Sequence, residues 1–373
     1  MNNNFFYAIA ILVGTIVGVG IFALPYAVTQ VGFTIGFLYL TALAIIVTFL
    51  HLAFGEIILR TSSEHRLPGY TKIYLGPTME KLTRLSALIS IPLILLIYLV
   101  VGGEFLSKII PNNLDISYFH LLFWLIMSIF IITGLKTIKV AELLMTLFLV
   151  TVVTLALVIN LDDINIQNFN TFNFKNIFFP YGILLFALLG SSAIGQITKI
   201  LQTEKQKIKP AIITGTVISV LIYVIFIVTV IGIIGPETPK LATTTFQNLL
   251  PASMFFIVAI FGVFLIATSY LALGFYFKET LLYDFKLNRF LVAGAVTLLP
   301  IFLLFLGMTD FTKIIGIVGS VLGGFECIVT FLIYLKAKKN GDRQPEYQLN
   351  ISKYFIYLFI FILLVGFMVN LIL

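Results

Sequence analysis

Residues 14–26 read GTIVGVGIFALPY, an apolar stretch interrupted by Gly14, Gly18, Gly20 and Pro25. In a helix interior a glycine costs up to about 1 kcal/mol relative to alanine and a proline about 3 kcal/mol, so the stretch is biased toward a break. With the chain entering a bilayer near residue 5, Gly18 lies roughly 20 Å deep at about 1.5 Å per residue, close to the midplane. Irregular backbone at that depth is tolerated only against protein or a watery cavity.

A second segment has the same character. Residues 182–201, GILLFALLGSSAIGQITKIL, place Gly190, Ser191, Ser192 and Gly195 near their middle. Gly14 and Gly18 also form a GxxxG pattern, which fits tight packing of an unbroken helix. The second interruption, Pro25 and the near-equal halves of the chain favour breaks. An interrupted helix exposes free N–H groups at one half-helix start and free C=O groups at the other half-helix end. Anions sit well on the former and cations on the latter, and a zwitterion needs both at once.

The rest of the chain supplies the membrane setting. Its 373 residues are 60% hydrophobic and 10% charged, with a mean hydropathy of +1.11, which defines an all-α integral membrane protein. Eleven spans are expected near 5–28, 33–59, 84–109, 118–135, 139–160, 177–200, 210–235, 252–279, 290–308, 312–336 and 352–372. These runs do not alternate as barrel strands do. The interrupted spans are the first and the sixth, the pointer to a five-plus-five inverted repeat. One transporter-like domain over 1–373 is expected, with units at about 5–161 and 177–337 and an extra helix at 352–372. MNNN carries no basic leader, so no signal peptide is expected. Residues 64–80 fit a segment along the inner interface, and PETPKLATTTFQNLLP a short helix over the outer mouth.

The net charge of +7 would suit nucleic acid if it were pooled, but it is not. All but four of the 23 Lys and Arg fall in alternate loops and adjoining helix ends, the exceptions being Lys108, Lys175, Lys240 and Lys313. The positive-inside rule then puts the N-terminus in the cytoplasm and the C-terminus outside, in the cell membrane. The basic loops are topology signals, and no nucleic acid partner is expected. Cys327 is the only cysteine, so no intramolecular disulfide is available. Three scattered His and no HExxH or GxSxG argue against an enzyme.

GTIVGVGIFALPY resembles the first-helix motif of the amino acid, polyamine and organocation (APC) transporter superfamily, G-x-G-[IVM]-[FL]-x-L-P. It is most similar to the amino acid/auxin and aromatic amino acid permease branches, with GTxxGxGxLALP and typically 11 helices. GEIILR (55–60), LPGYTKIYLGP (67–77), FALLGSSAIGQITKIL and KPAIITGTVISVLIYVIF add to the resemblance. It implies a LeuT-type fold and amino acid transport by alternating access.

By that resemblance, Gly18, Val19 and Gly20 offer N–H groups to a substrate carboxylate. Carbonyls around Ile16 and Val17 and around Leu188 and Leu189 take the ammonium. Phe186, four residues before Gly190, falls where related permeases place an aromatic gate; in a chain with 37 Phe, lipid or core packing also explains it. Ser191 and Ser192 leave room for a substrate side chain, and Tyr98 is a further pocket candidate.

A sodium site of this fold would draw on Gly14, Val17, Leu265, Thr268 and Ser269. The alternative is that Thr268 and Ser269 bond their own helix. Some proton-coupled relatives carry a lysine midway along the fifth helix, and VAELLMTLFLVTVVTLAL has none. Acids inside the membrane are functional suspects, since a charge at the centre costs at least about 2.5 kcal/mol. Glu326 reads either as a proton carrier or as a structural carboxyl. Glu104, one turn from Lys108, fits a surface pair, and Glu56 fits closure of the cytoplasmic side. His51 fits a hydrogen-bonded packing histidine.

The expectation is a secondary active importer of neutral or aromatic amino acids, monomer or homodimer, with sodium or a proton as coupling ion and no other cofactor. The rivals are an APC-type transporter of polyamines or nucleobases and a non-transporting amino acid sensor. A metal transporter of this fold would want a carboxylate and Met at the breaks, which GTIVGVG and LLGSSA lack.

Overall fold

A computed structural model describes residues 3–110, 114–134, 139–240, 247 and 250–372. The described residues hold no strand. Fifteen α-helices follow one another among the described residues: α1 (Asn4–Val17), α2 (Leu24–Thr29), α3 (Phe33–Arg60), α4 (Leu67–Leu75), α5 (Pro77–Ile109), α6 (Ile116–Thr133), α7 (Lys139–Ile159), α8 (Phe179–Leu188), α9 (Ser191–Ile200), α10 (Ile208–Ile234), α11 (Ala252–Glu279), α12 (Arg289–Phe305), α13 (Phe311–Ile317), α14 (Gly324–Asn340) and α15 (Lys353–Ile372). Among the described residues, ten segments are long and apolar enough to cross a membrane, counting α1 with α2, α8 with α9 and α13 with α14 as one each. The shorter apolar helix Arg289–Phe305 occupies the ninth expected position.

Local chemistry sets the ends. Asp115, Asn288 and Asp310 cap α6, α12 and α13 by accepting from the N–H groups of Ser117, Leu291 and Lys313. Proline stands in the first turn of α2, α4, α5 and α8, where its missing N–H costs nothing. Gly32, at φ 94°, reverses the chain between α2 and α3 in a conformation open to glycine.

Both expected breaks are present. α1 stops at Val17, Gly18 leaves the helix at φ −27° and ψ −138°, a 3₁₀ turn covers Val19–Ala23, and α2 resumes at Leu24. α8 stops at Leu188, Leu189 is extended, and α9 starts at Ser191. The tenth span departs from expectation: a π turn at Val318–Gly323 separates α13 from α14. Such turns sit disproportionately at functional sites. α5 begins at Pro77, before the expected 84, because Pro77 opens a helix whose first two turns are polar and held by the Glu80–Arg84 pair at 2.7 Å. α4 is tucked under the helices, with Tyr70, Thr71 and Tyr74 buried against α5 and α14. The expected short helix over the outer mouth lies mostly outside the described residues.

The helices pack as two groups. α1, α2, α3, α8, α9 and α10 contact one another extensively, as do α5, α6, α11 and α12. Between the groups, the first break touches α5 and α11 only sparsely. That gap is where the site lies.

Candidate functional site

The two breaks face one cavity of about 140 Å³. Gly18, Val19 and Gly20 line it from the first break, Phe186, Leu189, Ser191 and Ser192 from the second, Tyr98 from α5 and Ser269 from α11. Close approach explains the glycine at 20: a Cβ there would stand 2.8 Å from the Ala187 Cα. Across the cavity the Tyr98 and Ser269 hydroxyls converge on Gly18, 3.1 and 3.5 Å from where its Cβ would stand.

Every buried peptide group needs a partner, and the breaks free several. At the second break they are taken by side chains. The Gly190 N–H donates to His51 Nε2 at 3.0 Å, and His51 Nδ1 lies 3.5 Å from Thr216 Oγ1. The Tyr223 hydroxyl sits 2.6 Å from the Ile16 carbonyl oxygen and 2.7 Å from that of Ala187, bridging the two broken helices. At the first break the Gly18–Gly20 backbone borders the cavity.

The residues singled out in the sequence divide accordingly. Ile16, Gly18, Val19, Gly20, Tyr98, Phe186, Leu189, Ser191 and Ser192 border the cavity. Val17 and Leu188 are fully buried away from it, and Gly190 is held behind it by His51. Of the cation set, Gly14 and Ser269 border the cavity, while Val17, Leu265 and Thr268 do not. The Thr268 and Ser269 hydroxyls both donate to the Leu265 carbonyl, each at 3.0 Å.

The acids also separate. Glu326 borders the cavity and accepts from Ser86 and Ser90 through Oε1, at 3.3 Å each. Glu56 is fully buried elsewhere, accepting from Arg60 Nε at 2.8 Å and the Leu349 N–H at 2.6 Å. It therefore ties the end of α3 to the strap before α15. Glu104 lies near the other end of α5, off the cavity.

Among the cavity residues that escaped the sequence reading are Glu142, Gln196 and Tyr276. Glu142 is the plainest. It is 93% buried (7% exposed) in the first turn of α7, with Oε2 2.7 Å from the place of a Gly14 Cβ. The signal was present, an acid in an apolar run, but near a helix start it passes for a terminal residue.

A second cavity, of about 320 Å³, shares Thr15, Glu142, Ser191, Ser192, Gln196 and Tyr276 with the first and runs on to His65, Arg66, Lys199 and Glu279. The site is thus open toward the Lys- and Arg-rich end. At the mouth Arg66 pairs with Glu279, and its guanidinium lies 5.8 Å from the Tyr276 ring centre. Burial alone would lower the Arg66 pKa; the Glu279 carboxylate outweighs it and raises it. On the opposite side the first break is sealed by buried Ile21 and Phe22, the latter edge-on to Phe105 at 5.3 Å.

Two interrupted helices, a cavity between their breaks and one open end define a LeuT-type membrane permease. The chain belongs to the tryptophan/tyrosine permease family, whose model matches residues 1–372. It is an amino acid transporter. Its relatives include Glutamine transporter 2 of Aliivibrio fischeri, 19% identical over 94% of each chain. Tyrosine-specific transport system 1 of Haemophilus influenzae is 24% identical over 58% of this chain and 54% of its own. Among solved structures, MhsT in complex with L-phenylalanine superposes with a TM-score of 0.70 at 14% identity, covering 100% of this chain and 98% of that one.

Proposed function

We propose that this permease is a cation-coupled importer of neutral or aromatic amino acids working by alternating access, with the zwitterion held at the first break. The observation that carries this reading is the Gly18–Gly20 backbone bordering the cavity beside the Tyr98 and Ser269 hydroxyls. The N–H groups there receive the substrate carboxylate, and free carbonyls at the end of α1 face the ammonium. Apolar walls from Ile91, Ile94, Leu273 and Phe186 suit an uncharged side chain. The relatives named for glutamine and tyrosine and the phenylalanine complex agree with that class.

The two halves, 5–161 and 177–337, form the inverted repeat, with 352–372 outside it. The chain sits in the cell membrane with its N-terminus inside, as monomer or homodimer. Sodium or a proton drives uptake. The test is uptake of each of the twenty amino acids into proteoliposomes, with and without sodium, at two pH values. Saturable, gradient-driven uptake of neutral or aromatic amino acids is expected. Binding without uptake would make the chain a sensor and overturn the reading.

A further inference from the structure

Resting on that transport reading with a proton as the coupling ion, we propose that Glu326 is the residue that carries it, through a hydroxyl-lined lobe of the cavity apart from the opening at Arg66 and Lys199. Glu326 lies midway along Phe311–Asn340, a span of 30 residues, and so deep in the bilayer. Among the described residues no Lys, Arg or His lies within 4 Å of its carboxylate. Its protein hydrogen bonds are the two from Ser86 and Ser90, both to Oε1 and both long at 3.3 Å, so Oε2 is left to the cavity. Two long hydroxyl contacts under-solvate a full charge at this depth. A carboxyl so placed needs a cation from the cavity, and a proton is the one that requires no coordination shell.

The surroundings give the proton a route of its own. Ser90 and Thr83 line it from one face of α5, Ser86 between them donates to Glu326 from behind, and Thr280, Tyr276 and Thr330 complete the hydroxyl lining. This lobe reaches Leu67 and Pro68 of α4, close to the His65–Asp284 pair at 3.6 Å. The wider opening at Arg66 and Lys199 includes none of Glu326, Ser86, Ser90 or Thr83, and only Tyr276 of the hydroxyl lining borders both. The titratable neighbours of Glu326 are Tyr276 from α11 and Cys327 on its own helix. α3, α4 and α15 bring no ion-pairing side chain to it. The π turn at Val318–Gly323 ends three residues before Glu326 and gives that stretch of α14 a place to shift.

The step is a proton transfer alone. With the cavity facing outside, Oε2 takes a proton from cavity water, forming one O–H bond as the donor's breaks. With the lobe open inside, that bond breaks and water accepts the proton.

The experiment uses the full chain in proteoliposomes with radiolabelled L-phenylalanine, L-tyrosine and L-glutamine and an internal pH dye. With one proton per substrate and the membrane potential clamped, a gradient of one pH unit accumulates substrate about tenfold. Glu326→Gln is expected to lose this accumulation and the dye response while keeping substrate exchange within about twofold. Glu326→Asp should retain accumulation with a displaced pH profile. Accumulation of about tenfold by Glu326→Gln overturns the proposal, as does wild-type accumulation that follows sodium at clamped pH. Should Glu326→Gln lose exchange too, an unmoved pH profile in Glu326→Asp overturns it and a displaced one upholds it. Absence of uptake of any amino acid by the wild type instead removes the transport reading itself.

Discussion

The two breaks use similar sequence to opposite ends. At the first, Gly18, Val19 and Gly20 border the cavity and a 3₁₀ turn carries the chain across. At the second, the Gly190 N–H goes to His51 and the Ala187 carbonyl to Tyr223, side chains from α3 and α10. Both partners belong to the helix group that contains the breaks, so these bonds can persist while that group moves against α5 and α11. The difference teaches that a broken membrane helix need not be a binding site. The first break has backbone to offer a solute; the second is satisfied by protein and provides shape through Phe186, Ser191 and Ser192.

The sharpest way to break this contrast is to fill the first break. Gly18→Leu projects a side chain into the space between Tyr98 and Ser269, where even a Cβ stands 3.1 Å from the phenol oxygen. Substrate binding should fall at least about a hundredfold, about 2.8 kcal/mol. Membrane insertion, read by the detergent-solubilised elution profile, should be unchanged. Retained affinity would remove the first break from the site.

A smaller effect is expected at the second break. His51→Leu leaves the Gly190 N–H buried and unpaired, at about 1–3 kcal/mol, and should lower the melting temperature with a modest loss of substrate affinity. His51→Gln offers an amide oxygen to the same N–H and should recover most of that stability. Equal melting temperatures for the two variants would show that the imidazole contributes packing alone.

The breaks themselves were legible in the sequence because helix propensity is local: Gly18, Gly20 and Pro25 weaken the first span wherever it packs. What satisfies the breaks was not legible. His51 stands 139 residues from Gly190, and Tyr223 207 residues from Ile16. No pattern along the chain announces a contact over that distance. Of the acids, Glu326 stood out because its run is apolar on both sides, whereas Glu142 near a helix start looked unremarkable. The π turn in VGSVLG was hidden for a different reason: its glycines read as a weak helix, and the register change depends on how Gly319 packs against Gly182.

Tyr223→Phe probes the hydroxyl that bridges the breaks, and its effect should be the smallest of the three. The hydroxyl has a single proton to share between the Ile16 and Ala187 carbonyls. Its loss therefore removes about one net hydrogen bond, about 0.5–1.5 kcal/mol. Carbonyls tolerate an incomplete set of partners better than N–H groups do, having two lone pairs each. The ring, fully buried, keeps its packing in Phe, so no cavity is added to the cost. The melting temperature should therefore drop less than in His51→Leu, and substrate affinity should stay within about threefold of wild type. A larger loss of affinity than in His51→Leu would mean that the inner half of the first helix is positioned by this hydroxyl, and the division between a binding break and a structural one would have to be redrawn through Ile16.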